Sequence, residues 1–130
     1  MSRTIALSDG EWKLMTALWT RSPQTITELV HAMAHDTGWS KHTIIKMLTR
    51  LEEKGAVRHE SGDRAKKFYP IADHRTAVLE ETRGFLQKVY GGSIGLMMHA
   101  MVEENALSQE ELDQLYTILQ KAEEGSTHER

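Results

Sequence analysis

The sequence predicts a mainly α fold carrying one small two-stranded β ribbon, and three observations point to it. Ser-x-x-Glu or Thr-x-x-Glu strings occur at Ser8–Glu11, Thr25–Glu28 and Ser108–Glu111, and each opens a stretch in which apolar residues recur every three or four positions. Between Gly55 and Pro70 that period gives way to two short extended runs joined by the turn-rich link Ser61-Gly62-Asp63-Arg64. The 130 residues are 39% hydrophobic and 27% charged, enough for one domain of ordinary size or two small modules.

The first helix is expected over about 9–20, with Trp12, Met15 and Trp19 at i, i+3 and i+7 and Arg21-Ser22-Pro23 ending it. The second, with Ile26, Leu29, Val30 and Met33 on one face, is expected to reach about residue 35. Thr37-Gly38-Trp39 reads as a turn, and Ser40 as the N-cap of a third helix over about 41–54. Ile44, Met47, Leu48 and Leu51 form that helix's apolar stripe. Gly55 stands where a left-handed C-cap is wanted. Strands are expected over 56–60 and 65–69, with Pro70 stopping the second. Asp73 caps a fourth helix over about 74–90, Tyr90-Gly91-Gly92 breaks it, and Ser93 opens a fifth, apolar helix. Leu112, Leu115, Ile118 and Leu119 mark a sixth. The expected division is 1–72, 73–124 and a flexible polar tail over 125–130.

Composition removes several function classes. No cysteine is present, so there is no disulfide framework, thiolate metal site or cysteine nucleophile. No run of about 18 apolar residues is present, and the N-terminus lacks the apolar stretch of a secretory signal, so a soluble, cytoplasmic protein without membrane insertion is expected. The net charge of −3 conceals a strong asymmetry. Residues 40–67 carry eight Lys/Arg against four acids, a net +4, whereas residues 100–130 carry two against eight, a net −6. A basic middle and an acidic end suggest two tasks in one chain.

Three helices and a ribbon within about 65 residues describe a winged helix-turn-helix. Such a fold can lay the polar face of its third helix in the major groove of double-stranded DNA. Candidate DNA contacts are Ser40, Lys41, His42, Thr43, Lys46, Thr49 and Arg50 on the third helix, and Arg64, Lys66 and Lys67 on the ribbon. Phe85, Leu86, Val89, Leu112, Leu115 and Leu119 form a face that seeks a partner, and a symmetric homodimer is expected, because one winged helix reads only a half-site of a palindromic operator. Packing of these residues within the chain is the alternative. Two other readings stay open: a winged-helix regulator that senses a small ligand, and a protein-interaction module that binds no DNA.

Trp39-Ser40-Lys41-His42-Thr43-Ile44 with Leu48-Thr49-Arg50-Leu51, Phe85-Leu86-Gln87-Lys88-Val89-Tyr90-Gly91-Gly92, and Leu107-Ser108-Gln109-Glu110-Glu111-Leu112 resemble, in the same order, the penicillinase repressor (BlaI/MecI-type) family. The resemblance implies a dimeric transcriptional repressor holding a palindromic operator, often with a TACA/TGTA core, for a β-lactam or other stress-response gene. It implies His42, Thr43 and Lys46 as groove readers, Arg50, Arg64, Lys66 and Lys67 as phosphate contacts, and Tyr90 within the dimerisation region. It also implies release through a membrane sensor-protease pathway, by a cut between Ala100 and Met101. Ala-Met stands where family members often carry Asn-Phe, Ile45 stands where a polar or basic residue is frequent, and Lys46 replaces a Thr. The copper-sensing branch of the family uses cysteine pairs that this chain lacks.

Other motifs lead elsewhere. Gly91-Gly92-Ser93-Ile94-Gly95 matches a nucleophile-elbow string, but that motif needs a strand before it, so a hinge and no enzyme activity are expected. His31 and His35 have i, i+4 spacing but lack the Glu of a zinc motif, and no metal or other cofactor is expected. Met97, Met98 and Met101 read as core at helical spacing, and Trp12, Trp19 and Trp39 as packing anchors of the winged domain.

Overall fold

Each helix begins where a short polar side chain accepts an orphan backbone amide. The computed structural model describes residues 5–128, with side chains over 5–125, and runs α1 (Asp9–Thr20), α2 (Ile26–Ala32), α3 (Lys41–Glu53), β1 (Val57–Ser61), β2 (Lys66–Pro70), α4 (His74–Tyr90), α5 (Ile94–Glu103) and α6 (Gln109–His128). Ser8 and Glu11 cap each other's amides at 3.2 and 2.9 Å, and Thr25 with Glu28 repeats the pattern at the start of α2. Ser40, Asp73 and Ser93 each accept one amide, from Thr43, Thr76 and Leu96, at 3.1–3.2 Å. Ser108 and Glu111 form the third box.

Two compact units divide at Glu81/Thr82, within α4. In the first, Leu14, Met15 and Leu18 of α1, Leu29 of α2, Ile44, Met47, Leu48 and Leu51 of α3, Val57 of β1 and Phe68 of β2 form one buried cluster. Trp19 and Trp39 pack on it as anchors, and Trp19 Nε1 donates to the Ala72 carbonyl at 2.8 Å. Trp12 meets Trp19 edge-on at 5.5 Å. α3 ends in a Schellman motif: Gly55 has φ +79°, its amide donates to Glu52, and the Ala56 amide donates to Leu51 at 2.8 Å. The ribbon is antiparallel with Val57 opposite Pro70 and Ser61 opposite Lys66, one residue later on both strands than expected.

Helix α2 is shorter than its apolar period suggests. It stops at Ala32 because the amides of Thr37 and Gly38 both turn back to the Met33 carbonyl at 3.0 Å, with Gly38 at φ +63°. His35 therefore lies in this turn, off the helix that carries His31. Among the described residues no cluster of three His, Asp or Glu is arranged to hold a metal ion.

Gln24, unremarked in the sequence, is buried and joins α1 to the ribbon. Its backbone exchanges two hydrogen bonds with Phe68, at 3.2 and 2.9 Å, and its side-chain amide donates to the carbonyls of Ala17 and Arg21.

Glu11 has a second role besides capping. Its side chain is 1% exposed and pairs with Lys54 at the end of α3 at 2.5 Å, while the same ammonium donates to the Ala6 carbonyl at 2.8 Å. Burial pushes the Glu11 carboxyl up, but the Lys54 ammonium and the Ser8 amide and hydroxyl outweigh it and hold the carboxyl below its ordinary value. Lys54→Met keeps the side-chain stem and leaves the carboxylate without its cation. The expected loss is about 2 kcal/mol, below the ~3–5 of a fully buried pair because Lys54 is 36% exposed. Urea unfolding measures it. The depressed pKa means that unfolded Glu11 binds more protons than folded Glu11, so its stabilisation is present above the ordinary value of 4.5 and is lost as pH falls below it. That acid-side loss is expected to shrink in Lys54→Met.

In the second unit, Gly92 at φ +88° donates its amide to Leu86 as α4 ends, and Asn105 at φ 55° ends α5. α6 continues through Gly125 to His128, where the sequence predicts a flexible tail; the last two residues lie outside the described range. No side chain of α5 is buried, so Met97, Met98 and Met101, expected as core, are half-buried instead. Their period is that of a helix face, but among the described residues nothing covers that face fully. No helix among the described residues is long and apolar enough to cross a membrane.

Candidate nucleic-acid interface

Helix α3 is held from behind by its four buried apolar residues, which leaves Lys41, His42, Ile45, Lys46, Thr49 and Arg50 exposed on its outer side. Ser40 and Thr43 sit at its N-terminus with hydroxyls 3.1 Å apart, both engaged in the cap. The Thr49 hydroxyl donates back to the Ile45 carbonyl at 3.0 Å. Lys41, His42, Lys46 and Arg50 thus remain as the long polar side chains of this face.

The ribbon carries the second set. Arg64 lies in the tip, and Lys66 and Lys67 begin β2; all three are exposed. Arg58 does not join them: its guanidinium lies over the Tyr69 ring at 4.1 Å and pairs with Glu60 at 3.2 Å. His59 Nδ1 bonds to Glu52, which ties β1 to α3.

Charge pairing separates the Lys and Arg residues between Lys13 and Lys67 into two groups. Lys13, Arg21, Lys54 and Arg58 are each bound to a carboxylate. Among the described residues no ion pair involves Lys41, Lys46, Arg50, Arg64, Lys66 or Lys67. The structure thus places every candidate cation of the sequence exposed on the outer side of α3 or on the ribbon and outside these ion pairs, with Lys67 near enough to Glu28 to help lower its carboxyl. Ile45, which stands where the resembled family often carries a polar or basic residue, lies on the same helix, and its 38% exposure follows from α3's rotation on the core.

The candidate association residues fall less uniformly. Phe85, Val89 and Leu119 are at least half exposed, Tyr90, Leu112 and Leu115 are half-buried, and Leu86 is buried within the chain. Ile94, Leu96, Val102, Tyr116 and Ile118 are also exposed and enlarge the apolar surface of this unit. The Ala100–Met101 bond lies inside α5 with both side chains half-buried. Ser93 follows a helix, and its hydroxyl caps α5, so the elbow string is a helix joint. Two recesses lie in the first unit: one of about 570 Å³ between α1 and α2, lined by Ala17, Thr20, Arg21, Gln24, Glu28 and His31, and one of about 210 Å³, lined by Ile5, Leu7, Ile71, Ala72, Thr76 and Ala77, which is smaller than the ~300 Å³ at which ligand pockets begin.

Known proteins share this arrangement. The family model described as "Penicillinase repressor" matches residues 7–121. A penicillinase repressor of Bacillus licheniformis is 31% identical over 121 residues, covering 93% of this chain and 94% of that protein. The methicillin resistance regulatory protein MecI of Staphylococcus aureus strain N315 is 26% identical, covering 92% of this chain and 98% of its own length. Among solved structures, the solution structure of the Bacillus licheniformis BlaI monomeric form in complex with the blaP half-operator is 31% identical, with a TM-score of 0.50 over 57% of this chain and 90% of that one.

Proposed function

This chain belongs to the penicillinase repressor family, and from that premise we propose that it is a DNA-binding transcriptional repressor acting in the cytoplasm as a homodimer on a palindromic operator. The observation that carries the reading is the set of six exposed cations on α3 and the ribbon of a winged helix, none of them in an ion pair among the described residues. Lys41, His42 and Lys46, beside the Ser40–Thr43 cap, face base edges near the helix N-terminus, where a groove-docked helix makes its base contacts. Arg50, Arg64, Lys66 and Lys67 contact phosphates, with Thr49 beside them. The BlaI solution structure is of a monomeric form on a half-operator. A half-operator for one winged unit supports a two-fold pair of chains on a whole operator.

The paired chains associate through the apolar surface of the second unit, with Phe85, Val89, Leu119 and the half-buried Tyr90, Leu112 and Leu115 at its contact; Leu86 supports it from beneath. Release follows the family's sensor-protease route, with cleavage at Ala100–Met101 in α5. Because the bond is helical, the helix must open locally before a protease can take it in an extended conformation.

Fluorescence anisotropy with a TACA/TGTA palindrome and its scramble tests the reading. The palindrome is expected to bind ~100-fold or more tightly than the scramble. Equal binding to both would discard this operator core, and no binding at low salt would overturn DNA recognition and favour a protein-interaction module.

A further inference from the structure

Among the described residues up to Pro70, Ile45 is the one large hydrophobic side chain left exposed, at 38%, while Ile44 before it and Leu48 after it are fully buried. It is surrounded on the outer side of α3 by Lys41, His42 and Thr49, all exposed. Up to Pro70 the first unit otherwise hides its large apolar residues, and Ile71, at 54%, is the next one exposed. An isoleucine at an exposed helix position also brings no help to the helix, because β-branching restricts its χ1 freedom. Its polar neighbour offers no compensation: the Thr49 hydroxyl proton is committed to the Ile45 carbonyl.

We propose that Ile45 is a specificity-determining residue that covers the C5-methyl group of a thymine in the major groove. This rests on the DNA-binding reading above. The major-groove edge of an A·T pair is distinguished by one apolar group, the thymine methyl, and apolar side chains read it by contact. Lys41, His42 and Lys46 can bond to acceptors and phosphates, but none of them gains from a methyl group. Ile45 supplies a surface of the matching kind on the same face of the same helix. The side chain is already partly covered, so its rotamer freedom is restricted before DNA arrives and little further entropy is lost on contact.

The test uses the full chain and DNA chosen by the protein itself. Wild-type protein and Ile45→Ala are each used to select duplexes from a random library. The wild-type consensus is then made with thymine and with deoxyuridine, which pairs identically but lacks the methyl. Covering one methyl is worth about four-fold in affinity, so replacing the contacted thymine in both half-sites is expected to weaken wild type by ~10–20-fold. Ile45→Ala is expected to bind the two duplexes alike, and its own selected consensus to lose the thymine preference. Equal weakening of both proteins by deoxyuridine, or no weakening of wild type, overturns the methyl contact and leaves the repressor reading intact. Enrichment of no sequence by wild type overturns both. Because Ile45 is exposed, the variant is expected to retain its unfolding midpoint, which separates a binding effect from a folding one.

Discussion

Phe85→Asp combined with Leu119→Asp is expected to convert the protein to a monomer and to lower its affinity for a whole palindromic operator by ~10²–10⁴-fold, while a single half-site is bound as before. The magnitude comes from linkage. When two winged units are joined, the second binds at the high local concentration set by the first, and breaking the junction returns each to its own weak affinity. The two positions are chosen for exposure. Phe85 is 50% and Leu119 60% exposed, so a charge at either meets water in the separated chain and little of the fold is disturbed. In a dimer the same charges would be buried without partners, which costs several kcal/mol each. Leu86 is unsuitable for this purpose because it is buried in the chain, and an Asp there would unfold rather than dissociate. Light scattering reads the mass, and anisotropy with whole and half operators reads the affinity. A double variant that keeps its dimer mass and its whole-operator affinity would remove the second unit's apolar surface from the dimer.

The other large effect is ionic. Operator affinity is expected to fall ~10³–10⁵-fold between 50 and 200 mM salt, because a dimer presenting these cations twice neutralises about 6–10 phosphates and releases their counterions. Arg50→Ala is expected to weaken all duplexes alike and to reduce the logarithmic salt slope by about 1 per subunit. Lys46→Ala is expected to change which duplexes are preferred. The difference has a geometric basis. Arg50 lies two turns beyond the α3 N-terminus, where a groove-docked helix would leave the groove floor, whereas Lys46 lies one turn nearer to it. A sequence-independent loss on Lys46→Ala would move that residue to the phosphate group.

Much of the architecture is legible in short stretches of sequence, because the forces that set it are local. The capping boxes at Ser8, Thr25 and Ser108 and the caps at Ser40, Asp73 and Ser93 satisfy amides within three residues of themselves, and all six open helices. Gly55 ends α3 because only its own backbone must adopt the left-handed conformation. The ribbon is visible to within one residue, and the α3 cations are visible because a residue's side of a helix follows from the 3.6-residue period.

What the sequence by itself determined about this protein is therefore the order of its elements, the position of α3's polar face and the concentration of positive charge on α3 and the ribbon. Only the tertiary structure decided what depends on residues far apart in the chain. Glu11, a capping residue by its spacing, is a buried carboxylate because α3 delivers Lys54 to it across 43 positions. Gln24 is buried because β2 comes to lie beside it. α2 stops early because Gly38 turns the chain back onto Met33. Leu86 is covered while its neighbour Phe85 is exposed, and Ile45 is exposed while Ile44 is buried. Periodicity assigns a residue to a side of its own helix, but which sides are covered, and by what, is fixed by packing between elements, and that is a property of the folded chain.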